Sequence, residues 1–562
     1  MHHHLSLRNK LIIMLSVMAS MFLVALDQTI IATALGKIVE DFNAFDSLSW
    51  IITAYLLTTT ITVPIAGKLS DLFGRRILLL IGVAVFGVAS LMSGLAGDIN
   101  QLVLWRAVQG VGGGIITANA FTIIGDLFAA RERGRWQGML GAVFGLSSVI
   151  GPLLGGWLTD SQNIFGMITS WHWIFWINVP IAVVAFGLLL RFCPPLKHSN
   201  KTNIDYVGAV LLMVGLATLV LSVDNTETIF KDLMSTLNLS LTGLRMIMGA
   251  IVVVTLGLFI WQQKRAKEPI LPLHFFSNWN FSVVMVIATL FGAGFMGSII
   301  YLTQFNQQVF GAGPTESGLM LIPMVAGIMI ASIGSGQIIS RTGKYKIFMQ
   351  IGIVVATAMV AMLATLTPES PYWHEAIIMT LVGFGLGFVM PVMNIVVQSE
   401  FEQHELGVAT SSIQLFRGLG STIGIAIFGS MLTAGITANL TNIQSDPYLQ
   451  SLKTSPVIKK IGDVADPNTQ LTLNTTGVKE KIKDGFESST GKLPIAIREA
   501  TEKKFINEQN AYSSKITHAF SKSLQSIFIA SALLMLLASI FVFMIHERQL
   551  KHASATATPG EI

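Results

Sequence analysis

Long apolar runs separated by short polar intervals make up most of this chain, and the charges in those intervals show how the runs lie. Trp50 to Ala66 and Ile77 to Ala96 contain no charged residue, and each is about long enough to cross roughly 30 Å of hydrocarbon at about 1.5 Å per residue. Fourteen such segments follow one another, centred from Ser20 to Met535, which predicts an all-α polytopic membrane protein with fourteen transmembrane helices. Cations collect in alternate intervals: Arg8 and Lys10; Lys68, Arg75 and Arg76; Arg131, Arg133 and Arg135; Arg191, Lys197 and Lys201; Lys264, Arg265 and Lys267; Arg341, Lys344 and Lys346; Arg548 and Lys551. The intervening loops carry Glu40, Asp41, Asp98, Asp160 and Glu369 with few cations. Excess cation in short loops marks the cytoplasmic side, so both termini are expected there. The turn with Glu400, Glu402, His404 and Glu405 is an acidic exception, and pairing with the basic loops opposite would account for it.

Two stretches recur. GKLSDLFGRR at 67–76 reads as a tight charged loop between two spans, in which Gly67 and Gly74 permit close approach and positive φ, and Asp71 can pair with an arginine such as Arg75. GQIISRTGKYK at 336–346 repeats its glycine interval, with Ser340 in place of Asp71 and Lys344 in place of Arg75. Glu132, Gly134, Gly145, Ser148, Gly151 and Gly156 likewise fall on Glu405, Gly407, Gly418, Ser421, Gly424 and Gly429. The halves therefore read as diverged copies, the arrangement in which one bundle rocks against another around a central site. The expected division is an N-terminal six-helix bundle over 1–190, a cytoplasmic linker over 191–205, two inserted helices over 206–262, and helices nine to thirteen over 263–432. An extracellular segment, partly amphipathic helix, follows over 433–520, then the last membrane helix over 521–546 and a cytoplasmic tail over 547–562. In the extracellular segment Ile482, Phe486 and Ile497 have the spacing of an amphipathic helix lying on the outer rim, either as a cap or as a docking site for an extracellular partner.

Composition supports the membrane reading. Of 562 residues, 52% are hydrophobic and 12% charged, where roughly a quarter would be charged in a soluble protein. The net charge of +5 sits in short loops beside apolar segments, which argues for membrane anchoring and against a nucleic-acid partner. A single cysteine, Cys193, excludes an internal disulfide and any cysteine metal cluster. The three histidines after Met1 are too few for a metal site, and no phosphate-cradling loop points to ATP. No cofactor and no metal are expected, and no enzymatic chemistry.

Asp27 lies deep in the first span. An isolated acid there costs several kcal/mol unless paired or wetted, so burial drives it toward its neutral form and suits it to load and release a proton. A fixed bond to a neighbouring helix, through Thr29 or a backbone group, is the structural alternative. Arg106 reads as opening the fourth span on the cytoplasmic side, with Gln109 one turn on; it either answers the charge of such an acid or snorkels to headgroups. Gly145, Gly151, Pro152, Gly155 and Gly156 make the fifth span thin and kinked, suiting a moving interface between bundles. Tyr55, Asn119, Met296, Tyr301, Gln304, Phe388, Met390, Asn394, Gln414 and Arg417 are candidate walls, with Gln109, of a wide and sparsely polar cavity. Such a cavity favours bulky lipophilic cations over sugars.

The chain resembles the fourteen-span drug:proton antiporters of the major facilitator superfamily, the bacterial exporters of multiple drugs and quaternary ammonium compounds. The resemblance rests on LDQTIIATAL around Asp27 and Thr29, GKLSDLFGRR at 67–76, RAVQGVGGG from Arg106 and GLSSVIGPLLGG at 145–156. It covers essentially 10–432 and 522–547; Gly36 stands where many members have proline. It implies proton coupling through Asp27 and Arg106, and a switch of access through Gly67, Asp71, Gly74, Arg75 and Arg76. The implied protein is a multi-pass exporter of the bacterial cytoplasmic membrane, driven by the proton gradient, active as a monomer and taking a lipophilic small molecule. A lipid or lipid-precursor translocase on the same scaffold and a non-transporting membrane receptor remain the alternatives.

Overall fold

In a computed structural model the described residues are 6–42, 48–159, 163–164, 166–194, 204–223, 226, 230–312, 314–439, 446–452, 473–474, 476–490, 495–548 and 550. The long helices are α1 (Leu7–Phe42), α2 (Leu48–Phe73), α3 (Arg75–Ser93), α4 (Ile99–Leu127), α5 (Ala130–Thr159), α6 (Asn178–Phe192) and α7 (Tyr206–Val223). They continue with α8 (Leu241–Arg265), α9 (Trp279–Gln308), α10 (Ile322–Thr342), α11 (Lys346–Leu363), α12 (Tyr372–Glu400), α13 (Leu406–Asn439) and α14 (Ile495–Phe543). Thirteen stretches among the described residues are long and apolar enough to span a bilayer. The apolar stretch of α7, Tyr206–Ser222, is 17 residues and falls short of that length. The expected fourteen is thus thirteen long spans plus one short apolar helix.

The duplication is visible in the packing. In the first half α1 packs on α5 and α6, α2 on α4, and α3 on α4 and α6. In the second, α9 packs on α13 and α14, α10 on α12, and α11 on α12 and α14. Gly110, Gly112 and Gly114 of α4 recur as Gly383, Gly385 and Gly387 of α12. A Cβ at Gly112 would lie 2.6 Å from the Phe86 nitrogen of α3, and one at Gly385 would lie 2.5 Å from the Gly352 carbonyl of α11. Backbones meet there, an approach that only glycine permits. The halves keep separate hydrophobic cores and meet where α5 lies along α10 and α2 along α13. The inserted helices α7 and α8 pack on each other, and Leu212 and Leu216 share a cluster with Ile61 and Ile65 of α2 and Leu415 and Leu419 of α13. Asp205 anchors this pair, accepting from Gln262 Nε2 at 2.9 Å and Gln263 Nε2 at 2.7 Å.

The segment expected to lie on the outer rim folds differently. Helix α14 runs unbroken for 49 residues, so the boundary expected at 520/521 falls inside a helix. The helix Thr476–Thr490 covers the exposed half of α14: Phe486 stacks on Phe505 with ring centroids 3.9 Å apart, and Tyr448 lies 5.1 Å from Tyr512. Ile482 is buried in the same cluster, and Lys515 pairs with Asp446 at 2.8 Å. Protein, and not lipid, covers this apolar stripe; the side chain of Ile497 lies outside the described residues.

Candidate functional site

Asp27 projects from α1 into a closed polar cluster. Arg106 Nη1 donates to Oδ2 at 2.5 Å and Gln109 Nε2 to Oδ1 at 2.9 Å; Asn178 Nδ2 on α6 reaches Oδ1 at 3.3 Å. Arg106 also donates to Gln109 Oε1 at 2.8 Å and to the Ile51 carbonyl at 3.2 Å, and its guanidinium sits 4.4 Å above the Tyr55 ring. Ser90 Oγ accepts from Gln109 at 3.2 Å and from Asn178 at 3.0 Å, and donates to the Phe175 carbonyl at 2.9 Å. Asp27 and Arg106 are each 1% exposed. A buried ion pair holds only if the remaining hydrogen-bonding capacity is met, and here amides and a carbonyl meet it. One proton on Asp27 would leave Arg106 facing neutral acceptors alone.

This geometry corrects two expectations. Arg106 does not snorkel, and it is not at the basic end of its helix: α4 begins at Ile99, capped by Asp98, on the face opposite the basic loops. Asp27 is held by Arg106, Gln109 and Asn178, whereas Thr29 donates to the Ser147 carbonyl of α5 at 2.9 Å. Asn178 and Ser90 carry no sequence signal, because a lone amide or hydroxyl in an apolar run reads as ordinary.

On the basic face a second constellation joins the halves. The expected loop at 67–76 is helical up to Phe73 and broken only at Gly74, whose φ of 97° requires glycine. Asp71 accepts from the Gly407 nitrogen at 3.1 Å and the Val408 nitrogen at 2.9 Å. A carboxylate of the first half therefore caps α13 of the second, satisfying two free N–H groups at the positive end of its dipole. Arg75 pairs with Asp71 and donates through Nε to Asp126 Oδ2 at 2.9 Å. Gly67 lets the helices meet, since a Cβ there would overlap the Ser411 side chain. Arg76 turns aside to the Leu190 carbonyl at 2.6 Å. Gln398 of α12 adds a further link, accepting from Gln137 Nε2 at 3.0 Å and donating to the Phe121 carbonyl at 3.1 Å. Glu400 pairs with Arg548 at 3.1 Å and Glu405 approaches His274 at 3.6 Å, so among the described residues these carboxylates of the acidic turn meet partners in the second half.

The fifth-span residues divide between two faces. Gly145 meets Val325 of α10 and Pro152 meets Gly318, both in the other half, but a Cβ at Gly151 would overlap Thr29 Oγ1 of α1 within the same bundle. Gly155 is buried and Gly156 half-buried. Of the α5 glycines, the one whose Cβ would come nearest the other half is one that the sequence pattern does not single out, Gly138 against the Ser332 carbonyl. Gly138→Leu is therefore expected to reduce transport at least tenfold with insertion intact, while Gly151→Leu lowers thermal stability by about 1–3 kcal/mol through overpacking. Efflux and melting of the two purified variants check this separation.

The proposed cavity walls are dispersed. Tyr55 and Gln109 join Asp27; Asn119 donates back to the Ile115 carbonyl of its own helix at 2.8 Å. Tyr301 donates to the Ile425 carbonyl at 3.2 Å, and Met296 and Gln304 are half-buried on the same helix α9. Asn394 is buried and Met390 half-buried on α12, whereas Phe388 turns toward Phe348 of α11 at 5.7 Å, away from the seam. Gln414 Oε1 accepts from Arg417 Nη2 at 2.5 Å, and among the described residues no ion pair to Arg417 is found.

Two like bundles, backbone-close helices and a capped seam define a polytopic membrane transporter of the two-bundle type. Residues 17–425 match the Major Facilitator Superfamily, and the chain belongs to that family. It is 36% identical to multidrug transporter protein MdtP of Bacillus subtilis over 83% of each chain. It is 33% identical to multidrug resistance protein 3 of the same organism, over 80% of this chain and 85% of that protein. Among solved structures the xylose symporter XylE superposes with a TM-score of 0.57 at 14% identity over 95% of each chain. The human organic anion transporter MFSD10 does so with a TM-score of 0.56 at 15% identity over 75% of this chain and 93% of that one; both likenesses concern the fold.

Proposed function

We propose that the protein exports lipophilic cations across the bacterial cytoplasmic membrane in exchange for protons, by alternating access. The observation that carries this reading is the sealed Asp27–Arg106 pair, whose balance of charge depends on a single proton. The names of the relatives, a multidrug transporter and a multidrug resistance protein, support drug efflux; that the drugs are lipophilic cations belongs to the proposal. Protonation from outside neutralises Asp27 and frees Arg106; release to the cytoplasm restores the pair and readies the cavity for a cation. With α7 as a fourteenth crossing, both termini are cytoplasmic, and the seam held by Asp71 is the inner gate, closed toward the cytoplasm. The monomer carries all of these parts.

Ethidium uptake into inverted vesicles, with internal pH read in parallel, tests this: uptake should require an acid interior and release protons in step with the dye. Translocation of a labelled lipid without ethidium uptake would favour a lipid translocase, and neither activity would favour a receptor. Replacing 439–514 by a short Gly/Ser linker is expected to leave insertion and ethidium export intact, because the apolar residues that cover one another there, Tyr448, Ile482, Phe486, Phe505 and Tyr512, leave together. The structure adds one demand: the linker must rejoin α14 near Lys515, whose helix continues into the membrane. Equal amounts of full-length and shortened protein in matched vesicles give the comparison.

A further inference from the structure

Among the described residues, Glu375 is a fully buried acid of the second half that the mechanism above does not use. It lies one turn into α12, on the face opposite the basic loops, and is 0% exposed. Neither carboxylate oxygen meets a hydrogen-bond donor, and among the described residues no cation pairs with it. The Asn306 amide of α9 lies against it outside hydrogen-bonding geometry; it too is 0% exposed and unpartnered at both atoms. Two polar groups buried together and unsatisfied cost several kcal/mol. A proton on Glu375 resolves both, since a carboxylic acid donates O–H to Asn306 Oδ1 and accepts from Nδ2.

A cavity lies close to the pair. The nitrogen of Ala312 donates to the Asn306 carbonyl at 3.0 Å, and Tyr372 stands one turn before Glu375. Ala312 and Tyr372 both line a cavity of about 470 Å³ with Phe310, Glu316 and Ser370. The cavity thus lies at the outer end of the bundle beside the backbone of Asn306 and the turn that carries Glu375, with neither side chain of the pair in its lining. Among the described residues the titratable groups at that end are Glu316 in the cavity, Tyr372 and the adjacent His374 on α12, Tyr301 on α9, an exposed His518–Glu369 pair 3.4 Å apart, and Lys522 and the Lys515–Asp446 pair on and beside α14. The adjoining halves of α5, α10 and α11 carry none, and α13 carries only Arg417. A metal ion is a poor fit, because hard cations take about six oxygens and this pair offers three.

We infer that Glu375 and Asn306 form a second proton-binding site, loaded from the cavity beneath Tyr372 and separate from Asp27. Its use in transport rests on the proton-coupled reading above; its protonation does not. Infrared difference spectra of the purified full-length protein in lipid discs, recorded across a pH titration, test it without any substrate. The wild type and Asp27→Asn should both show a protonated-carboxyl carbonyl band that titrates, and Glu375→Gln should lose it. Glu375→Asp keeps a band with a displaced midpoint, and Asn306→Leu moves the midpoint without removing the band. A band unchanged in Glu375→Gln, or no titrating band beyond one that Asp27→Asn removes, overturns the assignment.

Discussion

Replacing Asp27 by asparagine is expected to abolish proton movement coupled to efflux while the protein remains inserted and folded. The substitution keeps the shape of the side chain and an oxygen that can accept from Arg106, but it removes the group that alternates between charged and neutral. Taking one partner from a buried ion pair costs about 3–5 kcal/mol when nothing replaces it. Here Arg106 retains Gln109 Oε1, the Ile51 carbonyl and the Tyr55 ring, so a loss of about 1–3 kcal/mol in stability is the fitting estimate. Ethidium added to vesicles of the variant should leave the internal pH unchanged, and binding of a neutral ligand should persist. A pH response equal to the parent's would move the coupling elsewhere. Asp126 is engaged by Arg75 and Glu400 by Arg548, so Glu375 would then be the first candidate.

Asp71→Ala should be nearly as damaging, for a different reason. The carboxylate closes the seam by accepting from two backbone groups at the start of α13, each a charge-assisted bond worth about 1.5–3 kcal/mol. Its loss also leaves Arg75 with Asp126 as its remaining carboxylate partner among the described residues. The inner side should lose closure, so cysteine labels near Gly67 and Ser411 become accessible from the cytoplasm and active efflux falls by an order of magnitude or more. Asp71→Asn, which can still accept one bond, should fall between. Efflux at the parental level in Asp71→Ala would remove the cap from the gating argument.

The spans and their duplication are legible in the sequence because membrane crossing sets both length and apolarity, and because Gly67, Gly134, Gly407 and Gly336 stand where backbones of the two halves approach. The residue facing each glycine is not legible: Gly151 and Gly145 share a motif, yet one meets α1 and the other α10. Asp27 and Arg106 declare themselves by charge within apolar runs. Asn178 and Gln398 do not, since a neutral amide reads the same whether it serves a site or a helix end. Glu375 is hidden by its place near the start of α12, where an acid ordinarily reads as a surface group at a helix terminus. The outer stripe of Ile482 and Phe486 is evident from its spacing, but spacing alone leaves open whether lipid or protein covers it.

At about 1.5 Å per residue the 49 residues of α14 span about 73 Å. One rod thus begins among Tyr448 and Phe486 and ends beside Trp279, whose Nε1 donates to the Met544 carbonyl at 3.0 Å. Helix α14 packs on α9 and α11 and belongs to the second bundle throughout. Any tilt of that bundle is therefore carried outward along a stiff arm and enlarged at its tip, where a few degrees become several ångströms. A spin label on the solvent face near Lys504, paired with one on the tip of the first bundle near Asp98, turns the outer cap into a pointer for the working state of the protein.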